Sequence, residues 1–462
     1  DTSQATAGST YRFIVASSNS DRPDKNWWRG PAGITSYATL TMASSSITQR
    51  FSKDTNPSFA SCDGSAIWGC EAVDSTNNRG QYASLAFDPA GRPWMSYYDS
   101  SATAMRVAQY KGTGGTGCAT TEWSCIQMEN QAGRTTGQYS SIAFAKDGTP
   151  WVAYRDTNTT SGGLKVANRV SSSGTCAGIG GSTLWNCTTI DNGTGGGTGQ
   201  FTATAINPNG TPWIAYYDNG NTLLKVAQYV GSGGSGCTNQ PSAAWSCFTV
   251  DSSGTAGYGQ SAHLGFDGNG TAWISYGDAT NGTLRVAQYV GSGGSGCAST
   301  QWTCTQIDTG VGASSFSSMA FSTAGRPYIS YYDSTNTALR MAQYVGSSGS
   351  GCASSSAWTC TTVDNSAADG QYSSIAFDAQ GDPWISYYES GGGDLRIAEY
   401  VTSGGNCTSS AWNCSSINTT NNVGQYTSLA FDHSGDAMIA YYDVTNLDLR
   451  VAKLHINKGK PR

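Results

Sequence analysis

The chain has 462 residues, of which 12% are charged, and a formal net charge of −6. An average soluble protein is about 25% charged, and here Gly, Ser, Thr and Asn replace many of the charged residues. No basic run or stripe is present, which argues against a nucleic-acid partner. No apolar run approaches the roughly 20 residues that a membrane-spanning helix needs.

Residues 1–60 precede the repeats described below and are predicted to form an amino-terminal extension. Two segments in it, "YRFIVASS" and "SYATLTMASS", have strand character. They predict either a hairpin packed on the main body or the strands of one further, degenerate repeat. The segment "DKNWWRGP" (Asp24–Pro31) places paired tryptophans beside charges. It is a candidate docking arm for self-assembly.

A repeating unit fills the rest of the chain. Its marker is Gln followed by an aromatic residue, which recurs with a step of 57 residues from Gln81 to Gln138 and with similar steps thereafter. Five copies are intact and two are degraded, and in chain order they begin at Gln81, Gln138, Gln200, Gln260, Ser315, Gln371 and Gln425. Seven repeats of this length indicate a repeat architecture.

Each repeat contains four short runs rich in Val, Ile, Tyr, Phe and Trp, separated by Gly, Asn, Ser or Pro. The four runs resemble "SSIAFD", "PWISYYD", "LRVAQYV" and "WTCTTVD". No segment shows a sustained helical period. The predicted fold is all-β: a seven-bladed β-propeller with four-stranded blades. The glycine-rich segments Gly231–Gly236 and Gly291–Gly296 are then exposed hairpin loops within it.

The last repeat lacks its fourth strand and ends with the third, Leu449–His455. An orphan fourth strand, Trp68–Asp74, stands before the first repeat. Pairing the two completes the last blade from both ends of the chain and removes an open edge. The predicted domain is therefore 61–455, followed by a tail at 456–462.

Fourteen cysteines fall into seven sequential pairs, one in each repeat. The pairs are Cys62 with Cys70, Cys118 with Cys125, Cys176 with Cys187, Cys237 with Cys247, Cys297 with Cys304, Cys352 with Cys360, and Cys407 with Cys414. One disulfide per blade is the favoured interpretation. The alternative, zinc, needs four clustered ligands, whereas these pairs would lie a blade apart.

Disulfides predict an oxidising compartment, and hence a secreted or cell-surface protein. The many Asn-x-Ser/Thr acceptors, Asn158 and Asn209 among them, fit a glycoprotein.

The repeat "SIAFDAQGDPWISYYESGGGDLRIAEY" resembles blades of secreted bacterial and archaeal propellers of the form S-x-A-x-D-x-x-G-x-P-x-I-S-Y-Y-D. The resemblance covers about residues 68–455 and implies a strand order like that of WD40 blades. It also implies that the loops from fourth to first strand and from second to third strand share one face. Propellers of this type include adhesins, lectin-like modules, scaffolds and enzymes, so the resemblance predicts a fold and no activity.

A carboxylate ends each predicted second strand: Asp99, Asp156, Asp218, Asp278, Asp333, Glu389 and Asp443. Each is expected to cap its own turn through hydrogen bonds to backbone N–H groups. The alternative is a ring of acceptors for a cation such as Ca²⁺, which takes six to eight oxygen ligands.

A cation recurs in each third strand: Arg106, Lys165, Lys225, Arg285, Arg340, Arg396 and Arg450. The second-strand carboxylate usually lies seven residues earlier, as from Asp99 to Arg106. Because the two strands form a hairpin, a repeated structural ion pair within each hairpin is predicted.

Two series of aromatic residues also recur. One is Trp94, Trp151, Trp213, Trp273, Tyr328 and Trp384, with Met438 in the seventh place; the other is Trp68, Trp123, Trp185, Trp245, Trp302, Trp358 and Trp412. Packing between blades is the favoured interpretation, because a buried large ring removes 150 Å² or more from water. Platforms for stacking on sugar rings are the alternative.

Departures from the repeat give the only asymmetric candidate site. The fourth repeat has Ser261 in place of the usual aromatic residue, His263 in a small-residue position and Gly277 in place of a tyrosine, next to Asp278. The second repeat has Arg155 at that tyrosine position. The loss of two rings predicts a pocket in blade 4, with His263, Asp278, Arg155, Gly277 and Ser261 as binding candidates. Ordinary divergence between repeats explains the same substitutions.

Three functions remain open from the sequence. Repetition of one surface around a ring favours a recognition or adhesion module that binds a glycan or an extracellular protein. A structural subunit of an appendage or surface layer would use residues 1–60 for docking. A polysaccharide hydrolase or lyase would need asymmetrically placed catalytic groups, and the sequence offers few.

Overall fold

The computed structural model describes residues 60–158, 162–176, 182–193, 197–238, 243–252, 257–312 and 316–454. All belong to one compact unit, Asn56–Arg462. The predicted hairpin, the docking arm, Ser315, His455 and the tail at 456–462 lie outside the described residues. Within these ranges the regular structure consists of strands arranged in seven sheets, and none of it is a helix able to span a membrane.

Each sheet is one blade, which confirms the seven-bladed, four-stranded prediction. Blade 1 consists of β3 (Arg79–Phe87), β4 (Pro93–Asp99), β5 (Ala104–Tyr110) and β6 (Trp123–Glu129). Blade 2 consists of β7 (Thr136–Phe144), β8 (Pro150–Asp156), β9 (Gly163–Arg169) and β10 (Trp185–Asp191). Blade 3 consists of β11 (Gln200–Ile206), β12 (Pro212–Asp218), β13 (Leu223–Tyr229) and β14 (Trp245–Asp251). Blade 4 consists of β15 (Tyr258–Phe266), β16 (Ala272–Asp278), β17 (Thr283–Tyr289) and β18 (Trp302–Asp308). Blade 5 consists of β19 (Ser318–Phe321), β20 (Pro327–Asp333), β21 (Ala338–Tyr344) and β22 (Trp358–Asp364). Blade 6 consists of β23 (Asp369–Phe377), β24 (Pro383–Glu389), β25 (Asp394–Tyr400) and β26 (Trp412–Asn418). Blade 7 consists of β27 (Val423–Phe431), β28 (Ala437–Asp443), β29 (Asp448–Leu454), β2 (Ser65–Asp74) and β1 (Ala60–Cys62).

Blade 7 is completed from both ends of the described chain, as predicted. Strand β2 pairs antiparallel with β29, with Trp68 opposite Leu454 and Cys70 opposite Ala452. The short strand β1 adds an outer, fifth strand that the sequence analysis did not predict. The first strands of neighbouring blades contact each other around the whole ring, including β27 with β3. The ring therefore closes with no gap between the first and last blades.

The core lies between blades. The second strands are buried along their entire length in blades 1, 3, 4, 6 and 7. Aromatic rings cross the junctions: Trp94 contacts Phe144 of the next blade with 5.6 Å between ring centroids. The seven fourth-strand tryptophans are at most 2% exposed. The packing interpretation is confirmed for this series, whose faces are not available to a sugar.

Hydroxyl groups also join the blades. Ser140 Oγ donates to the carbonyl oxygen of Tyr82 in the preceding blade at 2.9 Å, and Thr427 Oγ1 donates to that of Tyr372 at 2.6 Å. Small polar residues at these first-strand positions let the strands approach and satisfy buried carbonyls.

All seven predicted disulfides are formed, and no cysteine is free. The bonds join Cys62 to Cys70, Cys118 to Cys125, Cys176 to Cys187, Cys237 to Cys247, Cys297 to Cys304, Cys352 to Cys360, and Cys407 to Cys414. Each lies in the hairpin between the third and fourth strands of one blade, except the first, which joins β1 to β2. The pairing is therefore confirmed cysteine by cysteine, and the zinc alternative is excluded. By the chain-entropy model, a loop of this size contributes about 2–3 kcal/mol to stability.

Candidate functional site

The predicted arrangement of loops is confirmed at one end of the propeller, here called the upper face. In blade 1 the N–H of Ser100, just after the second strand, donates to Asn78 in the loop that enters the first strand, at 2.9 Å. Thr157 and Thr135 form the same contact in blade 2. The fourth-to-first and second-to-third loops of each blade therefore lie together around the axis.

Seven first-strand residues point towards the axis just below this face, and we call them the channel ring. They are Tyr82, Tyr139, Phe201, Ser261, Phe316, Tyr372 and Tyr426, and their φ angles lie between 50° and 68°. In blade 1 the strand register shifts between Gln81 and Ser84, so an unpaired bulge carries the aromatic side chain inwards. Bulky residues rarely adopt positive φ, yet every repeat does so here.

The aromatic members of the channel ring contact each other with their planes tilted by 44° to 54°. Centroids lie 4.6 Å apart for Tyr82 and Tyr139 and 4.1 Å apart for Phe316 and Tyr372. Hydroxyl groups link Tyr82 to Tyr139 and Tyr426, and burial raises the pKa of Tyr82. The rings run without a break from Phe316 round to Phe201. Ser261 leaves the one opening in the ring.

A second set of seven residues, the upper tier, lies on the second strands beside the channel ring. It consists of Tyr98, Arg155, Tyr217, Gly277, Tyr332, Tyr388 and Tyr442. Its tyrosines pack on the channel ring, with centroids 6.3 Å apart for Tyr98 and Tyr82. In blade 4 both members of this pair are missing, because Ser261 and Gly277 replace them on paired strands. The two predicted ring losses therefore fall side by side.

A cavity of about 170 Å³ occupies the axis at the channel ring. Aromatic faces of Tyr82, Tyr139, Phe201 and Tyr426 line it together with Ser261. Further lining comes from the small residues that follow them, Ala83, Ser140, Thr202, Ala262, Ser317 and Thr427. No described carboxylate lines it. The space is aromatic and hydroxyl-rich, and its wall is thinnest at blade 4.

Asp278, a predicted binding residue, does not face this cavity. Its Oδ1 accepts hydrogen bonds from the N–H groups of Thr280 and Asn281, both at 3.1 Å, and its Oδ2 accepts one from Asn281 Nδ2 at 2.7 Å. All seven second-strand carboxylates cap their own turns in this way. The turn-capping interpretation is confirmed. Among the described residues no group of His, Cys, Asp and Glu could hold a metal ion, so the Ca²⁺ alternative has no site there.

His263 does not line the cavity. Other blades have a small residue at this position; Ser141 Oγ, for example, accepts the N–H of Thr204 of the next blade at 2.8 Å. Nδ1 of His263 is buried and has no hydrogen-bond partner among the described residues. Burial lowers the pKa of His263 to about 4.

Replacing His263 with serine, the residue of other blades, is expected to remove an acid sensitivity. An unfolded histidine binds a proton below about pH 6.5, whereas folded His263 resists protonation until about pH 4. Stability is thus full above pH 6.5 and falls as the pH drops towards 4, by about 2–3 kcal/mol. Urea unfolding of both proteins at pH 7.5 and 4.5 measures this. An equal pH dependence in His263→Ser would show that other groups cause it.

Arg155 stands at the upper tier of blade 2, opposite Gln138 in the register. It is partly exposed, whereas the five tyrosines of the tier are at most 8% exposed. Its Nε is buried without a partner in the described part of the chain. Of the five candidate residues, the structure brings together Ser261 and Gly277, and it places Arg155 on the same tier two blades away. Asp278 and His263 do not line the cavity.

The third-strand cations form ion pairs that the sequence analysis assigned only in part. The predicted pair within the hairpin is present in four blades, as between Arg106 and Asp99 at 3.7 Å. In six blades the cation also pairs with a carboxylate at the end of the fourth strand of the preceding blade. These carboxylates are Asp74, Glu129, Asp191, Asp251, Asp308 and Asp364, and Asn418 takes the seventh place. In blade 6 a carboxylate of the same blade lies closer: Asp369 is 3.1 Å from Arg396, against 3.4 Å for Asp364 of the preceding blade.

Each of these fourth-strand carboxylates also accepts a hydrogen bond from a second-strand tyrosine of the next blade, as from Tyr97 to Asp74 at 2.6 Å. Sequence reasoning missed them, although a carboxylate ends six of the seven Trp-x-Cys strands. They join neighbouring blades, and none of the atoms involved faces the axial cavity.

No family model and no curated protein matches this sequence. Solved structures with a similar fold include a mutant NanB sialidase from Streptococcus pneumoniae, 12% identical over 84% of this chain and 70% of that one, with a TM-score of 0.43. The polysaccharide lyase Uly1 is 9% identical over 88% and 94% of the two chains, with a TM-score of 0.47. An aldose sugar dehydrogenase from Streptomyces coelicolor is 11% identical over 85% and 99%, with a TM-score of 0.40. Likenesses of this degree carry no conclusion about function.

Proposed function

We propose that this protein is an extracellular carbohydrate-recognition propeller whose ligand enters the axial cavity beside blade 4. The observation that carries the proposal is the channel ring: six partly exposed aromatic side chains, four of which line a cavity, with an opening where Ser261 stands. Aromatic faces pack on the apolar faces of pyranose rings, and polar ring edges hydrogen-bond to hydroxyl groups.

The cavity sets the size of the bound unit. Its volume of about 170 Å³ equals the liquid volume of roughly six waters at about 30 Å³ each. Pockets that enclose a whole drug-sized ligand are larger, at about 300–1,000 Å³. The cavity therefore accepts a single sugar unit, and the rest of the glycan lies over the gap at Ser261 and Gly277 and on the upper face.

The disulfides support the extracellular part of the proposal. All fourteen cysteines are paired, and such bonds persist in oxidising compartments. A glycan exposed outside cells is the kind of ligand that a protein in such a compartment meets.

The test restores the missing rings of blade 4. Gly277→Tyr, alone and with Ser261→Tyr, returns this blade to the residues that other blades carry, so the fold is expected to persist. Wild-type protein is first screened on a glycan array, and its best ligand is titrated calorimetrically. We expect filling the gap to weaken binding at least tenfold, while the matched control Gly277→Ala binds normally.

The other functions give different results in the same experiments. No saturable binding to any glycan, or full binding by the gap-filled variants, would contradict the proposal. Shortened products from a bound polysaccharide would indicate a hydrolase or lyase. Ordered assemblies that disappear when residues 1–60 are removed would indicate a structural subunit.

A further inference from the structure

The described cations near the upper face are paired, with one exception. Nine of them form ion pairs with carboxylates: Arg79, Arg106, Arg134, Lys165, Lys225, Arg285, Arg340, Arg396 and Arg450. Arg155 makes no ion pair with any described residue, and its Nε lies buried with no hydrogen-bond partner among them. The neighbouring Asp156 is already held by Arg134 at 3.0 Å and by Lys165 at 3.7 Å.

Its position in the blade places Arg155 beside the channel ring. It occupies the register position at which Tyr98 and Tyr388 pack on the channel ring, with centroid distances of 6.3 and 6.2 Å. Tyr139, the channel-ring residue of its own blade, is retained and lines the cavity. A longer side chain at this position extends beyond the buried tyrosines, and Arg155 is accordingly the more exposed residue.

A buried guanidinium N–H without an acceptor is costly, because its lost hydration is not replaced. The five tyrosines of the upper tier show that the fold requires no cation here. A planar guanidinium is suited to a carboxylate or sulfate, to which it can donate two parallel hydrogen bonds. The lining of the cavity carries no charged residue, so a guanidinium beside it would supply a charged contact that the lining lacks.

We propose that Arg155 is the anion-recognising residue of the channel mouth, and that the sugar unit bound there carries a carboxylate or sulfate group. The inference rests on the proposed function and adds its ligand class: an acidic glycan. The overall charge of −6 does not prevent this, since at physiological ionic strength charges beyond about 8 Å are largely screened.

The test compares acidic polymers with their uncharged counterparts. Polygalacturonate is paired with fully methyl-esterified pectin, and a sulfated galactan with the same galactan after desulfation, so that one member of each pair carries the anionic group and the other does not. Full-length wild type, Arg155→Tyr and Arg155→Lys are titrated with all four. Arg326→Tyr removes an exposed cation at the opposite end of blade 5 and controls for net charge.

We expect wild type to bind one acidic polymer about 10–100-fold more tightly than its neutral partner, the range for a charge-assisted contact. The carboxylate and sulfate arms show which group is recognised. Arg155→Tyr should lose this preference, Arg155→Lys should keep part of it, and Arg326→Tyr should keep all of it. If Arg155→Tyr failed to fold, Arg155→Gln would take its place.

Equal binding of both members of a pair, tighter binding of the neutral polymer, or an unchanged preference in Arg155→Tyr would overturn the inference and leave carbohydrate recognition standing. Absence of binding to any carbohydrate, on these polymers and on the array, would overturn both.

Discussion

Replacing Asp191 with asparagine is expected to lower the free energy of unfolding by about 3–5 kcal/mol, the usual cost of leaving a buried charge unpaired. Asp191, the last residue of β10 in blade 2, is fully buried and pairs with Lys225 Nζ of blade 3. It also accepts the hydroxyl proton of Tyr216 at 2.7 Å. Burial raises the pKa of Asp191, but Lys225 and the hydrogen bonds outweigh burial and hold it below its ordinary value.

Lys225 has no second carboxylate among its ion pairs with described residues, so the loss of Asp191 leaves its charge unpaired. Lys165 of blade 2, by contrast, contacts both Glu129 and Asp156. Urea unfolding monitored by tryptophan fluorescence measures the effect. The double variant Asp191→Asn/Lys225→Met should recover much of the loss, because it removes the stranded charge. A loss below 1 kcal/mol in Asp191→Asn would show that water reaches Lys225.

Replacing Trp68 with alanine is expected to destabilise the protein by about 3–5 kcal/mol, as for other fully buried tryptophans. Trp68 is 0% exposed, lies opposite Leu454 and packs in a cluster with Trp384 and Ile439. Trp302 of blade 4 is 1% exposed and lies in a strand inside the chain. If the closing strand β2 is as well packed as that strand, Trp68→Ala and Trp302→Ala should lower the free energy of unfolding by the same amount.

Both tryptophan variants are compared by urea unfolding under the same conditions, and the difference between them is the informative quantity. Equal losses support a ring sealed as firmly at blade 7 as elsewhere. A loss below 1 kcal/mol for Trp68→Ala beside a full loss for Trp302→Ala would mean that β2 contributes little to the folded state.

Much of the fold could be predicted because its signals are local. Strand runs such as "PWISYYD" and the sequential cysteine pairs recur within each repeat, so blades and disulfides follow from short stretches. Closure of blade 7 follows from the orphan strand at Trp68–Asp74, since an unpaired edge is unfavourable. The strand β1 gave no such signal, being only three residues long.

The candidate site was harder to predict because its geometry depends on contacts between repeats. Tyrosine rarely adopts a positive φ, so nothing in "GQY" indicates that Tyr82 turns towards the axis. The ion pair of Arg340 with Asp308 spans 32 residues and two blades, whereas Asp333, the predicted partner, is only seven residues away and lies at 3.7 Å. Spacing along the chain favoured the nearer residue.

The five residues predicted to form a site do not all lie together, because their positions also depend on contacts between repeats. Ser261 and Gly277 meet because a missing aromatic pair on two paired strands is a local event. Asp278 follows the repeat and caps its turn, and His263 does not line the cavity. The roles of Ser261, Gly277 and Arg155 in binding remain predictions that the titrations decide.

The disulfides have a consequence for how the protein matures. Each joins cysteines only 7 to 11 residues apart, and none connects two blades. Oxidation of one hairpin therefore does not have to wait for the rest of the polypeptide, and the bridges can form one after another along the chain. Should a cut occur in a loop between blades, no covalent bond would hold the pieces together, and they would remain associated only through their packed faces and the strand pair of β2 with β29 in blade 7.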